Sequence, residues 1–168
     1  MCQDMLLAAI VSAVACATAG EVYTGPWDVA ALSRVELTLG AHPVPDADCV
    51  RGCRRMLEWM RGLRAEDLVF TIGASGFSSL LTLPAPGVSL EDVARTVYAM
   101  QIERGVPTGD LSPVRNHLDL MKGGRIAAYI QPARAIHLLA KDPGRYEDWI
   151  YRNHWVHTFP DRSTYADA

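Results

Sequence analysis

The chain has 168 residues, 49% hydrophobic and 21% charged, with 16 Lys+Arg against 19 Asp+Glu for a formal charge of −3. This balance is that of a single globular domain and excludes a disordered or low-complexity chain. Near-neutrality excludes the electrostatic footprint of a nucleic-acid-binding protein, and 4 scattered cysteines exclude a disulfide scaffold.

Residues 5–19 (MLLAAIVSAVACATA) form an apolar run too short for a bilayer span, which needs about 20 residues. Ala15-Cys16-Ala17 imitates a signal-peptide cleavage site, but no Lys or Arg precedes Arg34 and Asp4 is acidic. The expectation is a buried helix rich in Ala and Leu, in a cytoplasmic chain with no membrane partner. Residues 34–39 (RVELTL) alternate in strand fashion up to Gly40. Asp46 or Asp48 then caps a helix to Arg64, with apolar positions at Val50, Cys53, Met56, Leu57, Met60 and Leu63. Arg51, Arg54, Arg55, Arg61 and Arg64 decorate its solvated face.

Residues 67–72 (DLVFTI) read as a buried strand, followed by a helix from near Ser75 that ends before Pro84. Ser89, with Asp92 three residues on, opens the next helix through a capping box; it fades across the loop from Gly105 to Gly109. Ser112-Pro113 is expected to start another helix, with Pro at its first position. Gly123-Gly124 interrupts, residues 125–130 resume helically, and residues 133–140 (ARAIHLLA) read as a buried strand. The tail after Asp142, anchored by Trp149, Tyr151, Trp155 and Phe159, reads as irregular. Alternating strands and helices predict an α/β class: a Rossmann-like layered α/β/α domain with a mainly parallel sheet, undivided over 1–168.

Three loops carry the candidate chemistry. The turn after DLVFTI, with Ser75, Gly76, Ser78 and Ser79, offers backbone N–H groups and hydroxyls to an anion, at the strand end where α/β sheets bind ligands. It matches neither the P-loop nor the dinucleotide fingerprint, and a tight ligand-free connection accounts for it equally well. Lys122 and Arg125 flank Gly123-Gly124, with Arg115 and Asn116 upstream; cations beside free amides suit a phosphate or carboxylate, while solvated cations around a helix break are the plain alternative. Prolines at 43 and 45 stiffen the loop that presents His42 and Asp46, to orient a substrate or simply to cap the helix. Cys49 with Cys53, and His154 with His157, each offer half of a zinc site that no further spacing completes, so core cysteines, surface histidines and no metal are expected. Gly73-Ala74-Ser75-Gly76-Phe77 approaches a nucleophile elbow, with Asp142 and His157 following in hydrolase order, but Phe77 stands where the last glycine belongs.

Taken together, these loops resemble the N-terminal domain of the type II glycerate kinases, the MOFRL-associated glycerate 2-kinases formerly named hydroxypyruvate reductases. The resemblance runs from about residue 37 to the C-terminus. Gly40 to Asp46 resembles the family's GHPxPD segment, with Ala41 inserted. IGASGFSSLL is similar to its strand followed by SGGxSALL, and helix 90–93 fits its helix after the P-x-x-G loop. VRNHLDLMKGGR is similar to its N-x-V-R-K-H-L-S-x-x-K-G-G-R motif, and the closing PD-x-STYADA pattern is also present. The resemblance implies transfer of the γ-phosphoryl of ATP to the 2-hydroxyl of D-glycerate, with ATP and Mg²⁺ as cofactors and a hydroxy acid and a nucleotide as small-molecule partners. By motif position, Ser75, Gly76, Ser78, Ser79, Arg115, Lys122, Gly123 and Gly124 would line the phosphate or substrate site; the catalytic residue is not assigned.

Departures qualify the match. Ala74-Ser75-Gly76 stands for SGG, and Trp155-Val156-His157-Thr158 for SGPT. Lys141 and Arg145 stand where the family carries acids, which weakens an Mg²⁺ site. The resemblance covers the family's N-terminal domain and not its MOFRL domain. The chain is therefore expected to be an incomplete form of the family domain, weak or inactive alone, its uncovered apolar surface met by a homo-oligomer or complementing chain. The alternative is a non-catalytic anion- or partner-binding subunit derived from the same fold.

Overall fold

The computed structural model describes residues 11–16, 35–73, 76–139 and 157–168. Strand β1 (Val11–Cys16) pairs in parallel with β2 (Val35–Gly40), Val11 opposite Val35 and Cys16 opposite Gly40. This corrects the helix expected at residues 5–19, as far as the described part reaches. The Ala/Leu helix propensity is a local preference of tenths of a kcal/mol per residue, whereas a parallel ladder is fixed by a partner more than 20 residues away that no local pattern reveals.

Helix α1 (Ala47–Met60) starts at Asp46, whose carboxylate accepts from the N–H groups of Asp48 and Cys49 at 3.1 and 3.0 Å. It ends one turn earlier than Arg64, Arg61 serving as the C-cap. Its arginines are exposed as expected, Arg55 bridging Glu36 and Glu58 and Arg51 paired with Asp48. The opposite face buries Cys49, Val50 and Cys53. At Gly52 the helix approaches β2 so closely that a Cβ would lie 2.7 Å from Thr38 Oγ1.

Strand β3 (Leu68–Gly73) pairs in parallel with β4 (Arg134–Leu139), Phe70 opposite Ile136 and Ile72 opposite Leu138. Parallel neighbours need a crossover. Here it contains α2 (Phe77–Leu80), α3 (Leu90–Val97), a π-helical segment (Tyr98–Glu103), α4 (Thr108–Leu118) and α5 (Arg125–Ile130). One face of the pair joins the main core, where Val69 and Ala135 pack against Val50, Cys53, Leu83, Met121, Ile126 and Ile130. On the other face Phe70 is 52% and Ile72 71% exposed, with Leu68, Ile136 and Leu138 beside them. The strands are thus half-buried rather than buried on both sides.

The Ser89 capping box forms, Asp92 N–H donating to Ser89 Oγ at 3.0 Å. Helix α4 departs from expectation: it begins at Thr108, so Pro113 lies inside it rather than at its start. Its stability comes from tertiary burial of Leu111, which packs with Val93 and Val97 in a second core cluster and offsets a proline that local pattern takes as a boundary. The described tail, residues 157–168, has turns and no helix or strand. No helix among the described residues is long and apolar enough to cross a membrane.

Candidate functional site

The prediction of three separate loops resolves into one cluster at the end of β3. Gly76 opens α2 in the left-handed conformation (φ +87°), which a glycine adopts without strain. It lies against His42, whose ring atoms would be 3.5–3.6 Å from a Cβ placed there. The serine hydroxyls that follow turn to different partners. Ser79 Oγ donates to the Pro43 carbonyl at 2.6 Å, which ties α2 to the proline loop. Ser78 Oγ and His157 Nε2 share a 2.6 Å hydrogen bond, and the His157 ring stacks at a tilt on Phe77. Ser75, Lys141, Asp142 and Arg145 lie outside the described residues, as do His154, Trp149, Tyr151 and Trp155. Asp46 is within the loop, but its carboxylate is occupied as the α1 cap.

The GGR segment closes the cluster from the other side, with a geometry unlike that expected. The Gly124 amide is not free: its N–H donates to the His157 carbonyl at 3.0 Å, and the Gly123 carbonyl accepts from Asp161 N–H. Of its two cations Lys122 is buried, whereas Arg125 is exposed. Arg125 Nη1 donates to the carbonyls of Asn116, Asp119 and Lys122 and so ties α4 to the turn. Lys122, 1% exposed, pairs with Asp119 at 2.7 Å and donates also to the Leu81 carbonyl. The other oxygen of Asp119 accepts from the N–H groups of Leu83 and Met121, so both carboxylate oxygens are engaged.

Arg115, 5% exposed, donates to Gln101 Oε1 at 2.8 Å. No carboxylate lies within ion-pair distance of it among the described residues. Among the described residues, the buried cluster therefore carries two cations, Arg115 and Lys122, against one carboxylate. The histidines register this excess. Burial first, then the charges of Lys122 and Arg115, hold His157 well below the usual imidazole range. Burial and Arg115 lower His42 as well. Both rings are neutral near pH 7, and both would gain a proton more readily if an anion entered. Nδ1 of His157, itself buried, has no hydrogen-bond partner among the described residues.

His157 is thus a core group, 2% exposed, and not the surface histidine expected; Cys49 and Cys53 are core cysteines as expected, the Cys53 thiol pushed up to about 12 by burial. The cavity bounded by Ser79, Thr82, Arg115, Asp119 and Lys122 has room on the order of one water, too little for a substrate. The more accessible edge of this cluster is the rim of His42, Gly76 and Ser78. Sequence reasoning missed Gln101 as a member of the cluster. It sits in what reads as an ordinary helix, 14 residues before Arg115, and no periodicity links the two.

Residues 2–146 match a domain of unknown function, DUF4147. The chain is 36% identical over 134 residues to the D-glycerate 2-kinase of Thermotoga maritima, covering 79% of this chain and 31% of that protein. It is 28% identical over 137 residues to the glycerate 2-kinase of Pyrococcus horikoshii, covering 82% of this chain and 30% of that one. The crystal structure of a glycerate kinase from Thermotoga maritima superposes with a TM-score of 0.71 at 32% identity, over 94% of this chain and 36% of the other. The chain thus spans about a third of the length of the curated relatives it matches. With a mixed α/β architecture, parallel strand pairing and a family match over most of its length, the chain belongs to the DUF4147 family, the N-terminal domain of the glycerate kinases.

Proposed function

We propose that this chain supplies an anion-binding site of a glycerate 2-kinase, the enzyme that transfers the γ-phosphoryl of ATP to the 2-hydroxyl of D-glycerate. The observation that carries the reading is the net positive cluster under the rim of His42, Gly76 and Ser78, built from Arg115, Lys122 and Asp119. Such a cluster receives a carboxylate or a phosphoryl oxygen, and low surrounding polarity strengthens the attraction. Ser78 holds His157, Gly76 leaves backbone room at the rim, and the pair Gly123-Gly124 seats residues 157–161 against it. Lys122 acts from within, as a fixed charge locked to Asp119, and does not itself contact the ligand.

The same donor set does not fit Mg²⁺. Asp119, the carboxylate of the cluster, is occupied by Lys122 and two backbone N–H groups, whereas Mg²⁺ takes one or two free carboxylates besides the phosphate. This favours a second reading, a non-catalytic anion-binding subunit of the same descent. In either case, the exposed apolar face of β3 and β4 supports association with a second copy or a complementing chain, because parallel strands are ordinarily covered on both faces.

Calorimetric titration of the chain with D-glycerate and with ATP, with and without Mg²⁺, tests the proposal. Saturable binding of either anion, lost in Arg115→Gln, is the expected result. Silence towards both from a folded chain refutes it. Phosphorylated glycerate in the product mixture selects the kinase over the non-catalytic subunit.

A further inference from the structure

Gln101 is used by nothing described so far, and its placement is specific. The π-helical segment Tyr98–Glu103 adds a residue to the turn relative to an α-helix, and such wide turns recur at functional sites. Gln101 comes off that turn towards α4. Its amide is fixed at both ends: Oε1 accepts from Arg115 Nη2 at 2.8 Å, and Nε2 lies 3.5 Å from Thr108 Oγ1. The orientation of the amide is not arbitrary, since a guanidinium has donors only and must face the carbonyl oxygen.

A buried arginine is ordinarily held by a carboxylate, which cancels its charge. Asp119 is the acid among the described residues whose charge reaches Arg115, but it makes no ion pair with the guanidinium and its oxygens are engaged by Lys122, Leu83 N–H and Met121 N–H. The brace that Arg115 has instead is neutral. We propose that Gln101 is a positioning residue that fixes the Arg115 guanidinium beneath the His42 rim without adding a negative charge of its own, and so makes the site selective for anions. This rests on the anion-site reading above and deepens it, because it names what keeps the cluster net positive. A carboxylate at 101 would hold the guanidinium as well but would convert the cluster of Arg115, Lys122 and Asp119, with His42 and His157 facing it, from net positive to neutral.

Two variants separate geometry from charge. Gln101→Glu keeps the acceptor and the side-chain size; Gln101→Leu removes the acceptor. The first readout needs no ligand: the His42 titration followed by NMR in the wild-type chain and in both variants. The account expects the His42 midpoint to rise in Gln101→Glu, since the Arg115 charge, which lowers it after burial, is then opposed. An unchanged midpoint in a folded Gln101→Glu overturns the proposal. The second readout is thermal stabilisation by inorganic phosphate and by D-glycerate. Gln101→Glu should weaken it at least tenfold in apparent affinity although its hydrogen bond survives, and Gln101→Leu should weaken it less. A merely structural role predicts the reverse order, with Gln101→Glu tolerated, and that result also overturns the proposal. If the wild-type chain responds to neither anion, the anion-site reading fails on its own, and the His42 titration still decides whether Gln101 sets the field at the rim.

Discussion

Replacing Gly124 by alanine separates a packing role for the glycine pair from a role as free anion donors. Gly124 has φ +84°, and a Cβ there would lie 2.9 Å from the carbonyl carbon and oxygen of Phe159 and from Pro160 Cα, all backbone atoms. Two costs add. An alanine in the left-handed region costs about 1–2 kcal/mol. Overlap with backbone that cannot rotate away costs a further ~1–3 kcal/mol, the range for overpacked sites. Gly87 is an internal control: it also has φ +84°, but nothing lies within 4 Å of its Cβ position. Gly87→Ala should show the conformational cost alone. Urea denaturation of both variants therefore isolates the steric part as a difference of about 1–3 kcal/mol. Hydrogen exchange at the Asp161 N–H, which donates to the Gly123 carbonyl, should accelerate only in Gly124→Ala, where the tail is pushed off the glycine pair. If Gly124→Ala is no more damaging than Gly87→Ala, the tail is not seated on the glycine pair.

Lys122→Met strands the Asp119 carboxylate in the core and should destabilise the chain by about 3–5 kcal/mol, with Asp119→Leu added to it recovering a large part; full additivity in the denaturation cycle would contradict a buried pair. His157 is neutral in the folded chain and has the ordinary value of 6.5 once unfolded, so the unfolded state takes up protons first. Stability from this group is complete above pH 6.5 and falls as pH drops below it. Urea midpoints between pH 7.5 and 5.5 should fall with a slope approaching about 1.4 kcal/mol per pH unit for one histidine, and His157→Phe should flatten it. An equal slope in both proteins would refute the assignment. Ile72→Glu, on the exposed face of β3, should abolish self-association in sedimentation while changing stability by no more than about 0.5 kcal/mol. A wild-type chain that sediments as a monomer contradicts the association itself.

What was legible in the sequence was whatever a local rule dictates. The Asp46 cap, the Ser89–Asp92 box and the strand β2 read from its alternation each depend on residues within a few positions of one another, and they formed as read. Elements decided by distant partners were not legible. Val11–Cys16 is a strand because β2 lies beside it, and α4 runs through Pro113 because Leu111 is buried against α3. The site divided in the same way. Gly76, Ser78, Arg115 and Lys122 were recognisable as residue types suited to an anion, and the fold gathers them. Which of them face a ligand was not recognisable, because that depends on Asp119 neutralising Lys122 and on Gln101 leaving Arg115 charged. Those relations cross from one helix or turn to another, and the sequence carries no spacing that marks them.

The most direct test of the central claim is an NMR titration of the folded chain with D-glycerate, following the imidazole signals of His42 and His157, assigned with His42→Gln and His157→Phe. One anion entering the field of Arg115 should move both signals along a single saturating curve and raise both titration midpoints. Signals that stay fixed while the chain remains folded, or that move with unrelated affinities, would show that the cluster is not an anion site.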